Sequence, residues 1–157
     1  MAFGTLSKIF PAWVRDSINN TAAHSGAILT DQLNIALYNN TNTPDQFALN
    51  TLTGYNQATS QWVAANEVTA TGWPAGGLAL ASVASSFTTN VYTLTAANRA
   101  GGATDTVTNA FGCLIFNNAI TTFKDGICYL AFGGANSVVS GTFTVQFNAA
   151  GILTLTV

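Results

Sequence analysis

Charge is what this sequence has least of. Four Lys and Arg plus six Asp and Glu make up 6% of its 157 residues, where a soluble domain ordinarily carries about 25%. The basic residues Lys8, Arg15, Arg99 and Lys124 are scattered, so the sequence offers no basic run to follow a phosphate backbone. Nucleic acid is not expected as a partner. Histidine is nearly missing, with His24 alone. A Ser-His-Asp site would need an acid such as Asp31 or Asp16 to orient that ring, and a strained nucleophile turn, and the sequence shows neither pattern. Asp16, Asp31, Asp45, Glu67, Asp105 and Asp125 stand singly along the chain, without the spacing of a metal site. The Gly-Gly pairs starting at 76, 101 and 133 lack the Gly-Lys-Ser/Thr ending of a phosphate cradle. The expectation is a protein that is not an enzyme and uses no cofactor or metal.

Long apolar runs are also missing. Stretches such as Cys113 to Phe116 fall far short of the roughly 20 residues that span a bilayer as a helix, so no membrane is expected. Lys8 is not followed by the apolar stretch and small-residue site of a secretory signal, which leaves the matches to the glycosylation pattern at Asn19-Asn20-Thr21 and Asn39-Asn40-Thr41 without weight. The two cysteines, Cys113 and Cys128, fall in strand-like segments and are expected as buried free thiols.

What replaces charge is Thr, Asn, Ser and Gln, beside 48% hydrophobic and 11% aromatic residues. Apolar material is ample for one packed domain. Neutral polar surface costs less to dehydrate than charged surface, and a net charge of −2 gives a free monomer little colloidal protection. Both properties suit a surface that packs against neighbours.

Along the chain, Leu6, Ile9, Phe10, Trp13, Val14 and Ile18 recur at helical spacing around Pro11. This predicts a helical or docking segment over residues 1–26, whose Phe3, Phe10 and Trp13 serve either as core or as an arm that docks on a partner, followed by a single β domain over 27–157. Leu33, Ile35 and Leu37 alternate in a first strand, and Ala58 to Ala65 suggests a helical turn. Strands follow at Leu78 to Val83 and Val91 to Ala96. Gly112 to Phe116 and Gly126 to Phe132 are apolar on both faces and read as central strands. Gly133-Gly134 reads as a chain break, after which Thr142 to Phe147 and Leu153 to Val157 read as a hairpin joined by Asn148 to Gly151. The fold class expected is mainly β: an antiparallel β-sandwich or jelly-roll-like domain with a short N-terminal helix. The rings of Tyr55, Trp62, Trp73 and Tyr92 read as core or interface, with sugar stacking as the alternative.

The segment Asn66-Glu67-Val68-Thr69-Ala70-Thr71-Gly72-Trp73-Pro74-Ala75-Gly76-Gly77 resembles a pattern of small virion proteins of tailed bacteriophages. So does Ile127-Cys128-Tyr129-Leu130-Ala131-Phe132-Gly133-Gly134, with Gly141 to Phe147 and Gly151-Ile152-Leu153 after it. The resemblance spans residues 66–157, and the N-terminal third departs from it. It implies a structural role, with a capsid decoration (cement) subunit as the leading expectation. Such a subunit would be made in the host cytoplasm and sit on the virion's capsid surface. Its partners would be the major capsid protein and copies of itself, as a trimer or other small oligomer. Phe3, Leu6, Phe10 and Trp13 are the expected interface residues. A tail or neck component, and a carbohydrate- or receptor-binding module, are the alternatives.

Overall fold

The computed structural model describes residues 3, 6–19 and 28–156. Among them the fold is mainly β and antiparallel, with one short helix near the N-terminus. The helix, α1 (Pro11–Ile18), begins on Pro11, whose fixed φ suits the first helical turn and whose missing N–H is not needed there. Phe10 before it is extended (φ −82°, ψ 113°). Residues before the helix form β1 (Lys8–Ile9).

The main sheet is built on β2 (Leu33–Tyr38), β8 (Asp105–Asn117) and β9 (Gly126–Gly141). Its order is β1-β9-β8-β2-β3, where β3 is Glu67–Val68, and β4 (Leu78–Ala79) also pairs with β2. Every residue of β2 is buried. The strand is therefore covered on both faces rather than half-exposed, and Asn34, among its polar members, donates from Nδ2 to the Gly76 carbonyl at 2.9 Å. A second sheet of three strands holds β5 (Ala84–Thr88), β6 (Val91–Thr95) and β11 (Leu153–Thr156), in the order β11-β6-β5. A third pairs β7 (Arg99–Ala100) with β10 (Thr144–Val145). A short helix, α2 (Asn50–Thr53), and a 3-10 turn at Ala64–Asn66 lie between β2 and β3.

Two expectations need correction. The C-terminal hairpin does not form: the Asn148–Gly151 turn exists, but β10 pairs with β7 and β11 with β6. Phe143 and Val145 are buried, with Phe143 edge-on to Trp73, while Leu153 sits opposite Leu94. The two segments thus have separate packing partners. Nor does Gly133-Gly134 end the strand. β9 runs on to Gly141, and its pairing with β8 absorbs four register shifts, each a place where a bulge bends and twists the ladder. The boundary expected at residue 26 lies outside the described residues. Phe3, Phe10 and Trp13 share one core with Leu37, Tyr38, Trp62, Ile115 and Tyr129.

Candidate interaction surface

The first sites to locate are the expected interface residues. Phe3, Phe10 and Trp13 are buried, whereas Leu6 is 65% exposed. The ring of Phe3 meets Trp62 and Tyr129 edge-on, each at 6.1 Å, and Phe10 lies 5.6 Å from Tyr129. Each such aromatic contributes core area plus about 0.5–1.5 kcal/mol per pair. These three residues are therefore not free to dock on a neighbour, and only Leu6 of the four faces outward. Removing the segment would open the core.

α1 nevertheless offers a surface. Its apolar residues form two interleaved stripes. Phe10 and Trp13 face inward, while Pro11, Val14 and Ile18, at spacings of three and four, form the other stripe, with Val14 half-buried against the core, Pro11 exposed and Ile18 78% exposed. Ile9 and Leu155 complete an apolar groove of about 440 Å³ on this side, rimmed by Arg15. Arg15 donates from Nε to Asp16 at 2.6 Å.

The groove continues into the second sheet. The β pairing sets Leu155 opposite Tyr92 and Tyr92 opposite Phe87, so the three side chains form one row across β11, β6 and β5. Leu155 and Tyr92 are half-buried, and Phe87 is 63% exposed. Phe47, Leu49 and Val139 are further large apolar side chains on the surface. No charged residue occurs from Val68 to Asn98 or from Gly126 to Val157, so the three-stranded sheet carries no charge at all.

The two glycine-rich motifs are organised by carboxylates. Asp105, 2% exposed, accepts the Gly72 N–H at 2.7 Å on one oxygen and the Gly102 N–H at 2.6 Å on the other. A Cβ on Gly72 would collide with the Gly102 backbone and the Asp105 carboxylate, so this approach requires glycine. Trp73 is buried beside it and donates from Nε1 to the Phe143 carbonyl at 3.2 Å. Glu67 accepts the Gly76 N–H at 2.9 Å and the Tyr55 hydroxyl at 2.6 Å. Tyr55 is stacked on Phe116 at 4.6 Å. Burial raises the Glu67 carboxyl above its usual range, against the lowering effect of those hydrogen bonds. Burial also raises the Tyr55 hydroxyl, as does its bond to Glu67. The motif residues hold turns together, and their polar groups are engaged with backbone.

Tyr55, Trp62 and Trp73 are buried, while Tyr92 is half-buried in the apolar row. The thiols of Cys113 and Cys128 are free and buried, and burial pushes that of Cys128 up to about 12. His24 lies outside the described residues. Among the described residues, no group of three or more His, Cys, Asp or Glu is arranged to hold a metal, and no helix is long and apolar enough to cross a membrane. An open polar groove of about 580 Å³ lies beyond the end of β2, lined by Asn39, Asn40, Thr69, Thr106, Asn109 and Phe111 among others. Comparison with protein-family models, with curated proteins and with solved structures finds no match to this chain.

Proposed function

We propose that this chain is a structural subunit of a tailed-phage particle, a decoration protein that binds the assembled head and stabilises it. The observation that carries the reading is the surface: large apolar side chains stand exposed on a chain with almost no charge to keep copies apart. Resemblance of the Asn66–Gly77 and Ile127–Leu153 segments to small phage virion proteins supplies the kind of assembly. The mechanism is linkage. A subunit that binds the mature shell, and not its disassembled state, stabilises that shell by mass action. The surface offered to the shell is the second stripe of α1, ending on the exposed Ile18, together with the exposed Leu6, in place of the buried rings of the same segment.

The test is to measure position and copy number in purified particles by quantitative mass spectrometry and cryo-electron microscopy. A copy number comparable to that of the major shell subunit, spread over the head, is expected. A few copies at one vertex or along the tail would reject the decoration role. Ile18→Asp, at an exposed position, is expected to leave the fold intact and abolish binding to bare shells. A second reading rests on the Asn- and Thr-lined groove beside Phe111. Its amide and hydroxyl groups, with the Glu67 carboxyl and one ring beside them, suit a sugar, and glycan binding by the isolated protein, lost in Asn109→Ala, would favour a receptor-binding role.

A further inference from the structure

The edge of the three-stranded sheet is unusual in what it lacks. β5 is paired with β6 on one side, and among the described residues no strand pairs with its other side. Four of its five residues, Ala84, Ser86, Phe87 and Thr88, are exposed. An open edge presents unpaired N–H and C=O groups to any extended segment. Soluble proteins usually blunt such edges with lysine, proline, a bulge or a covering loop. β5 reads Ala-Ser-Ser-Phe-Thr: it has no charge and no proline, and its register with β6 runs unbroken over all five pairs.

From these observations we infer that β5 is a homotypic docking edge, pairing antiparallel with β5 of a second copy of this chain about a twofold axis. Three properties of the edge select a copy of itself. The first is charge. A twofold contact sets each residue near the axis against its own kind, so any charge there would face a like charge; this sheet has none. A different partner is ordinarily selected by complementary charges, which this edge does not offer.

The second is shape. With the two strands fully overlapped, Ser86 lies on the axis opposite Ser86 of the partner subunit. Phe87 then stands opposite Ser85 of the partner subunit, on the same face of the joined sheet. Large meets small twice by symmetry, and each ring covers the hydroxymethyl group of the facing serine. A one-residue slip would set Phe87 against Ser86 or Ala84 of the partner subunit and remove the symmetric Ser86 pair.

The third is continuity. Phe87 ends the apolar row that runs from Leu155 through Tyr92. Pairing edge to edge joins the rows of both copies, so that the apolar side chains of two three-stranded sheets line one six-stranded sheet. The exposed Phe87 ring thereby gains cover that its own chain does not give it.

This inference rests on the assembly role proposed above for its biological setting, but it is tested apart from any particle. The free protein is examined by light scattering and native mass spectrometry over a concentration series. The expected mass is twice the 16.3 kDa of the chain, with hydrogen exchange at Ala84–Thr88 slowing as dimer forms. Ser86→Lys places a charge directly against its own copy across the axis, and Phe87→Lys removes the ring that covers Ser85 of the partner subunit and sets two like charges diagonally across the axis. Each is expected to weaken dimerisation about tenfold or more, while circular dichroism and thermal midpoint stay close to those of the parent. Val139→Lys, at an exposed apolar position outside this sheet, is the control and is expected to dimerise normally. A mass of one chain at every concentration, a mass of three chains, or a dimer indifferent to both β5 substitutions would overturn the inference. None of those results alters the particle copy number on which the decoration role depends.

Discussion

Removing the carboxylate of Asp105 should cost this chain a large share of its stability. Its two oxygens each accept one backbone N–H, from Gly72 at 2.7 Å and Gly102 at 2.6 Å. A hydrogen bond to a charged group is worth about 1.5–3 kcal/mol net, so the pair is worth about 3–6 kcal/mol. Against this stands the cost of holding a carboxylate at 2% exposure. Asp105→Ala recovers that cost but leaves two donors facing an apolar void, each carrying a desolvation penalty of about 1–3 kcal/mol. The donors dominate because there are two of them and neither turn can swing away: Gly72 is wedged against Gly102, and Trp73 beside it is buried. The expected loss is about 3–4 kcal/mol, a large share of a typical total of about 5–15 kcal/mol. For a chain of this size that lowers the midpoint by roughly 10 °C. Urea denaturation gives the free energy, and hydrogen exchange at Gly72 and Gly102 locates it. Asp105→Asn keeps one acceptor and turns an N–H₂ towards the other donor, so it should fall between parent and alanine. A loss below about 1 kcal/mol in Asp105→Ala, with both amides still protected, would refute the reasoning.

Two further outcomes are expected. The β5–β6 hairpin turns on Thr89 (φ 50°) and Asn90 (φ 63°), the two left-handed positions of a tight hairpin turn that favours Asn-Gly. A β-branched residue is strained there by about 1–3 kcal/mol, so Thr89→Asn with Asn90→Gly should raise stability by about 1 kcal/mol in thermal unfolding. For Glu67, burial holds the folded carboxyl above its ordinary value of 4.5. Its contribution is therefore fully present below the unfolded value and lost as pH rises through the raised one. Urea titrations across that window should show this decline in the parent and a flatter profile in Glu67→Gln.

The parts of the fold legible in the sequence were those where local pattern and burial agree. Gly112 to Phe116 and Gly126 to Tyr129 do form the covered centre of the main sheet, while Leu130 to Phe132 are half-buried. Val91 to Ala96 predicted β6 to within a residue. β5 was not legible. Its Ala-Ser-Ser-Phe-Thr pattern is mostly exposed, and an edge strand held only by backbone pairing leaves no alternation to detect. Pairing partners were illegible for another reason: the Asn148–Gly151 turn has sound hairpin chemistry, yet tertiary packing sends Val145 and Leu153 to different sheets. The candidate surface failed in a similar way. Phe10 and Trp13, and Pro11, Val14 and Ile18, are interleaved on one short helix, and both sets are apolar. Periodicity shows two stripes, and only the packing against Trp62 and Tyr129 decides which one is inside.

The pairing of β1 with β9, Lys8 opposite Tyr129 and Ile9 opposite Cys128, has a consequence for the ribosome. β1 has its partner far along the sequence, so it waits until Cys128 and Tyr129 have been made before it pairs. Phe3 and Phe10 wait with it, because Tyr129 is part of the shelf they rest on. Closure across so long a stretch of chain comes late and slowly, which leaves β1 and α1 of the nascent polypeptide sticky until β9 emerges. A chaperone that binds early apolar segments would find its natural client in residues 3–18.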